Sequence, residues 1–483
     1  MPPPDAVFVG LTDEESDYER QDSDTDSLDK SFTSDKAPSS ALPPRPVTSV
    51  DFQLIAHASE ALNVPGCNYT TCTAVQSYSI TLWYYDRTCM VRTFEFDLRH
   101  ERKEFALFAY GISHNSKTPS TTNQTLQSSF KSTFQPSFTM VDPTKITIPS
   151  DTSEKHDATY TIVDTIYTYH ALIGRGTKVF AVTPDTPDGN SAGEQVLKLA
   201  WPNIYRPKEI KLVEAIVAAA PRWQAHLPQI TFSATFSADQ LLPRLNLLRT
   251  LPFKTFHDRY LHVMAMLKYQ KLWEVDNVEE FQDAFVDCVE CHFHSYEEGK
   301  VLHCDLSENN LMCKRECGRI QGVLNDWDMA SPVDANGDVS PSTKSFATGT
   351  IPFMAYDLLG ENPPPHLYRH DLESFMYILI WAAIHYDFTT KQKLPIVSSL
   401  AGWDHKSRRV VRQAKGVFLF DANGVEPVFQ HVRQEFKKVL EEWIIPLHAM
   451  FAGAMAAKPK DTRTCDGRIT FQTFMDVLGR KPR

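Results

Sequence analysis

Residues 301–312 read "VLHCDLSENNLM", and the fold turns on the reading of this stretch. It sets His303, Asp305 and Asn310 in a short run, with the apolar pair Val301–Leu302 in front and Leu311–Met312 behind. Asp326 follows sixteen residues after Asn310, at the end of another apolar run, "GVLNDWDMA" (322–330). Solvated turns rarely carry such flanks, because large apolar residues go inside. The flanks tie three acidic or amide groups to buried backbone, which is the setting of a reactive centre rather than of a surface loop.

That set suits phosphoryl transfer, which needs positioning and charge neutralisation more than covalent chemistry. Its other parts should lie upstream. "ALIGRGTKVFAV" (171–182) has Gly174 and Gly176 between two apolar runs, and two glycines let a backbone come close to phosphates. A glycine pair in an ordinary hairpin turn reads the same way. "EQVLKLAW" (194–201) puts Lys198 inside an apolar strand, where it needs a carboxylate partner. The helix expected over 207–220, with Pro207 in its first turn, offers Glu209 and Glu214. Cys288, Cys291, His292 and His294 in "CVECHFH" invite a zinc reading, but the segment reads as a helix without a second, well-spaced ligand pair. The basic run "KSRRVVRQAK" (406–415) reads as a solvated helix face.

The chain of 483 residues has room for two or three domains. Of its net charge of −11, most lies in residues 1–40, which hold eleven acidic residues against Arg20, Lys30 and Lys36. The arm reads as a disordered acidic tail. The rest is nearly neutral, shows no basic field, and argues against a nucleic-acid partner. The opening "MPPPDAVFVG" has neither a basic region nor a long apolar one, so no signal segment is expected; nine cysteines are expected as free thiols, and a cytoplasmic or nuclear protein is expected. The longest apolar run, "MYILIWAAIHY" (376–386), is too short for a membrane span and reads as a buried helix. A short helix is expected near 50–62, two strands within 78–98, a helix or strand at 103–112, a Ser/Thr-rich linker after 113, strands over 157–200, and helices from 277 onward. Strands followed by helices, without alternation, point to an α+β class with two lobes.

Taken in chain order, "GRGTKV", "VLHCDLSENNLM", "LNDWDMA", "GTIPFMAYDLL" (349–359) and "HDLESFMYILIW" (370–381) resemble the fungal-type protein kinase (FunK) family. "YYDRTCMVRTFEFDL" (84–98) is similar to the segment that precedes the kinase lobes there. The resemblance spans roughly 50–460. It implies a bilobal protein-kinase-like fold, with a β-rich N-lobe, a helical C-lobe, a small α/β N-terminal extension and the disordered acidic tail. The expected divisions are 1–48 tail, 49–112 extension, 113–156 linker or insertion, 157–270 N-lobe, 271–460 C-lobe and 461–483 C-terminal segment. The activity implied is ATP- and Mg2+-dependent transfer to Ser/Thr hydroxyls of protein substrates. Gly174 and Gly176 would cover the ATP phosphates; Lys198 would bind them and pair with Glu209, with Glu214 as the alternative. Asp305 would be the catalytic base, Asn310 and Asp326 the metal ligands, and His303 a structural member of the loop. Thr350 would sit below the acceptor hydroxyl, and Asp371 would brace the catalytic loop.

Four departures accompany the resemblance. Cys304 replaces the usual Arg before the catalytic Asp, which removes a regulatory phosphate contact, so activity should depend little on phosphates at Ser340, Ser342, Thr343 or Ser345. Ser307 replaces a charge-neutralising Lys. Trp327–Asp328 stands for Phe–Gly, and Tyr356–Asp357 for Pro–Glu, with Arg463 or Arg468 as the expected partner of Asp357. A pseudokinase scaffold is the alternative function. A small-molecule kinase of the aminoglycoside/choline type shares the His-x-Asp pattern but lacks a segment like "GTIPFMAYDLL".

Overall fold

The computed structural model describes residues 6–8, 49–63, 69–76, 78–87, 90–93, 96–97, 99–100, 144–150, 157–169, 173–185, 193–241, 259–339, 349–421 and 423–483. The readings made for 103–112, for 113–143 and for Ser340, Ser342, Thr343 and Ser345 lie outside these residues. The chain divides into two compact units. One comprises 1–191, 198–203 and 234–263, and the other 192–197, 204–233 and 264–483.

In the first unit, helix α1 (Ser49–Asn63) packs beside a small antiparallel sheet in the order β1-β4-β3-β2. Here β1 is Ala6–Phe8, β2 Tyr69–Gln76, β3 Ser79–Asp86 and β4 Met90–Thr93, and a short β5 (Phe96–Asp97) also pairs with β3. The expected two strands are β3 and β4; their alternation turns Trp83 and Tyr85 to one face. Those rings stack at 5.8 Å and close over Ala58 and Leu62, which share one face of α1 with Leu54 at four-residue spacing. β1 corrects the reading of a wholly disordered arm: Ala6–Phe8 pairs with Val91–Thr93, because an edge strand accepts any short segment that can supply backbone groups.

A second sheet of six strands runs β10-β11-β9-β8-β7-β6. Its strands are β6 (Lys145–Ile148), β7 (Ala158–Thr168), β8 (Lys178–Pro184), β9 (Gln195–Ala200), β10 (Ile230–Ser237) and β11 (Tyr260–Leu267). β6 falls inside the segment read as linker, since "KITI" is too short to stand out from its polar surroundings. Helix α2 (Glu209–Ala219) starts two residues later than expected, with Lys208 at the N-cap and Pro207 just outside the helix.

The second unit holds the main core. Helix α3 (Val278–Glu297) begins on Asn277, whose side chain accepts the Glu280 N–H at 2.9 Å, with Glu279 and Glu280 in the first turn. Helix α4 (Tyr368–His385) contains the apolar run up to His385, and every residue from Arg369 to His385 is buried. Phe285 of α3 meets Phe375 of α4 edge-on at 5.7 Å. Each such ring contributes about 1.5–3 kcal/mol through burial. Helix α5 (Arg408–Phe420) corrects the reading of 406–415 as a solvated face, since Val411 and Lys415 are fully buried. The architecture is mixed α/β, with carboxy-terminal helices. Among the described residues no helix is long and apolar enough to cross a membrane.

Candidate active site

Strands β12 (Leu311–Glu316) and β13 (Arg319–Leu324) form a hairpin around Cys317 and Gly318, both at positive φ (50° and 77°). A two-residue turn of that kind fixes the register. It pairs Leu311 with Leu324, and the Asn325 N–H donates to the Asn310 carbonyl at 2.8 Å. The hairpin therefore returns Asp326 to the neighbourhood of Asn310, across the sixteen residues between them. The Asn310 amide donates to the Asp305 carbonyl at 2.8 Å, which orients its oxygen the other way. Asp326 itself sits at φ 60°, a left-handed backbone that is strained for a non-glycine residue and recurs at functional positions.

His303 is fully buried and lies 4.7 Å from the Trp327 ring. Burial pushes its imidazole below the usual range, so it is neutral. Its Nε2 faces the Asn325 carbonyl at 3.0 Å and the Asp305 N–H faces Nδ1 at 3.4 Å, so the partners assign the proton to Nε2. Cys304 adopts φ 64°, and its N–H donates to Asp371 Oδ2 at 3.1 Å. Asp371 is buried at the head of α4 and also meets His292 Nε2 at 2.8 Å and His366 Nε2 at 2.6 Å. Burial alone would raise its carboxyl, but the two histidines outweigh that and hold it well below the usual carboxylate range. The Thr350 hydroxyl donates to Asp305 Oδ1 at 2.8 Å.

The segment that carries Thr350 is pinned from below. Glu373 Oε1 accepts the Tyr356 N–H at 2.8 Å and the Tyr377 hydroxyl at 2.7 Å. Lys415 donates to the Met354 carbonyl and lies 3.7 Å from the Tyr377 ring centre. Asp357 pairs with Arg369 at 2.6 Å, which corrects the expectation of Arg463 or Arg468. Arg463 instead holds Asp338 at 2.6 Å and the Asn336 carbonyl.

In the same unit, Glu209 is buried and accepts the Trp327 N–H at 2.9 Å. Glu214 is exposed and pairs with Lys211 at 2.7 Å. Of the two candidates, Glu209 is thus the one turned inward. In the first unit, Lys198 is buried within β9. Gly174 and Gly176 both take positive φ (118° and 48°), ahead of β8.

Sequence reasoning missed Lys271, His366, Arg369 and Lys415. Lys271 places its ammonium 3.3 Å from both the carbonyl and the side-chain oxygen of Asn309, in the loop that carries Asp305. Burial pulls it down to about 8, against the raising influence of Glu308 and Glu274. A charged residue beside an apolar run flagged Asp371, and the same signal marks Arg369 two positions earlier. Cys291 donates to the His226 carbonyl, His292 meets Asp371 and His294 meets Glu298, so the zinc reading loses its ligands to other partners. Among the described residues no group of three or more His, Cys, Asp or Glu could hold a metal ion.

A search of curated proteins found no match. The family model described as fungal protein kinase matches residues 47–227 and 254–383. That match takes in Gly174, Gly176, Lys198, the stretch 301–312, Asp326, Thr350 and Asp371, and with it the chain belongs to the fungal protein kinase family.

Proposed function

We propose that the chain is an ATP- and Mg2+-dependent kinase that phosphorylates Ser/Thr hydroxyls of protein substrates, in the bilobal arrangement of protein kinases. Family membership supports phosphotransfer and nucleotide use in general. The observation that carries the finer reading is the bond from Thr350 to Asp305, because it joins the substrate-positioning segment to the proposed base. Asp305 would orient the acceptor hydroxyl and receive its proton as the oxygen attacks the γ-phosphorus. The bond from that phosphorus to the β–γ bridging oxygen breaks, and ADP leaves. Gly174, Gly176 and Lys198 would hold the phosphates, with Glu209 orienting the lysine. Asn310 and Asp326 supply only oxygen donors, which fits a hard ion such as Mg2+. When bound, the ion would neutralise phosphate charge. Asp371 fixes the loop that presents Asp305, through the Cys304 N–H.

The pseudokinase reading keeps support from Ser307 and from Trp327–Asp328. Thermal shift with ATP, with and without magnesium, followed by phosphotransfer to a generic protein substrate, separates the two. Binding at a hundredfold excess over Kd would stabilise the fold by about 2.7 kcal/mol. Magnesium-dependent stabilisation with transfer that is lost in Asp305→Asn supports the kinase. Stabilisation without transfer leaves the pseudokinase, and no stabilisation at millimolar ATP defeats the nucleotide-binding reading.

A further inference from the structure

The glycine loop is gripped by the amino-terminal module. Four contacts, all within the first unit, bring α1 and the β3–β4 region onto residues 173–178. Ile173 packs into the cluster formed by Ala58, Leu62, Trp83, Tyr85 and Met90. The Gly174 N–H donates to the Arg87 carbonyl at 3.1 Å. The Arg87 guanidinium lies against Gly176 so closely that a Cβ there would come within 2.6 Å of Nε, and the φ of 48° disfavours a side chain as well. The Lys178 ammonium, buried at the start of β8, donates to the Leu62 carbonyl at 2.6 Å. Arg87 is itself buried and is fixed by the Leu62 carbonyl at 2.8 Å and the Asn63 side chain at 3.0 Å. The helix end at Leu62–Asn63 thus anchors a cation from the module and a cation from the loop.

A loop with two glycines has much conformational freedom to lose when it closes on a nucleotide. Contacts that hold it beforehand remove part of that loss. We infer that the module of residues 49–97 is a built-in clamp that pre-organises the glycine loop, with Arg87 as a positioning residue for nucleotide binding. The family match runs without a break from 47 to 227, so the module and the loop fall within one unit of the family. Arg87 is held by the end of α1 and lies against the glycine loop, so its effect should fall on nucleotide affinity and not on the chemical step. The inference rests on the proposed nucleotide role of Gly174 and Gly176.

The test uses the full chain with Arg87→Ala and Arg87→Lys, and reads amide hydrogen exchange over 173–178, KM for MgATP, and kcat. Arg87→Ala should speed loop exchange at least tenfold and raise KM for MgATP about fivefold or more, with kcat within twofold. Arg87→Lys, which keeps one donor for the Leu62 carbonyl, should fall between. Wild-type exchange and KM in Arg87→Ala would overturn the clamp, and a tightened KM would overturn pre-organisation. Should Arg87→Ala lose its cooperative melt, Lys178→Gln takes its place, and unchanged loop exchange in that variant would also overturn the clamp. If wild type binds no MgATP, the functional reading fails while exchange in the variants still decides whether the module holds the loop.

Discussion

Replacing Thr350 by Val removes one hydroxyl and leaves the side chain's shape. The lost bond runs to Asp305 Oδ1 at 2.8 Å, and its acceptor is a carboxylate. A hydrogen bond to a charged group contributes roughly 1.5–3 kcal/mol. Thr350 is exposed and Asp305 only half-buried, so solvent competes and the lower end applies. About 1.5 kcal/mol of lost positioning is slightly more than tenfold in rate. Stability should barely move, because an exposed substitution typically stays within about 0.5 kcal/mol. The expected outcome is a kcat lowered about tenfold, with KM for ATP and the melting temperature unchanged. Thr350→Ser, which restores the donor, should return to within twofold of wild type. Phosphotransfer to a generic protein substrate at saturating MgATP reads the effect. A wild-type kcat in Thr350→Val would refute the argument, as would Thr350→Ser failing as badly as Val.

Lys415→Met should fold with a stability change of less than about 2 kcal/mol, because losing a buried charge offsets the unsatisfied Met354 carbonyl. KM for the protein substrate should nevertheless rise, since 350–357 loses one of its pins, and an unchanged KM, or an unfolding free energy lowered by more than about 2 kcal/mol, would contradict this. Lys271, held at about 8 and electrostatically coupled to Asp326 and Glu308 beside the proposed metal site, is mostly charged at pH 7 and mostly neutral at pH 9, so MgATP affinity should weaken across that interval in wild type and stay flat in Lys271→Arg. Stability follows the opposite sign: the group's folded value lies below its unfolded value near ~10.4, so its contribution rises between about pH 8 and 10. A Lys271→Met protein with the same stability slope over that range would show that another group is responsible.

What the sequence reveals here is local. Helix α4 announces itself because seventeen buried residues leave few polar interruptions, and β3 because Trp83 and Tyr85 are buried on either side of the more exposed Tyr84. His303, Asp305, Asn310 and Asp326 are legible because the hairpin that joins them is short and its register is set by its own turn. The pins of the site are not legible. Lys415 reaches Met354 across sixty-one positions, and nothing in "VVRQAKGVF" distinguishes a lysine destined for an aromatic cage from a solvated one. Lys178 reaches Leu62 across 116 positions. Asp357 found its partner twelve residues away rather than at the chain's end, because Arg369 in the first turn of α4 reaches it at 2.6 Å. β1 and β6 are three and four residues long, below the length at which alternation can be recognised.

Trp327 has a consequence for small-molecule pharmacology. Its indole is fully buried, its Nε1 donates to the Leu324 carbonyl at 2.9 Å, and its backbone N–H is held by Glu209. Inhibitors that seize a turned-out form of the segment after Asp326 need that form to exist for a fraction of the time. Emptying a large aromatic site costs about 3–5 kcal/mol, which leaves the turned-out form at less than roughly one per cent. The apparent affinity of such a compound falls by the same factor of about a hundred or more. Compounds that compete for the nucleotide with the segment left in place meet no such penalty, so a screen against this protein should return the second kind and almost none of the first.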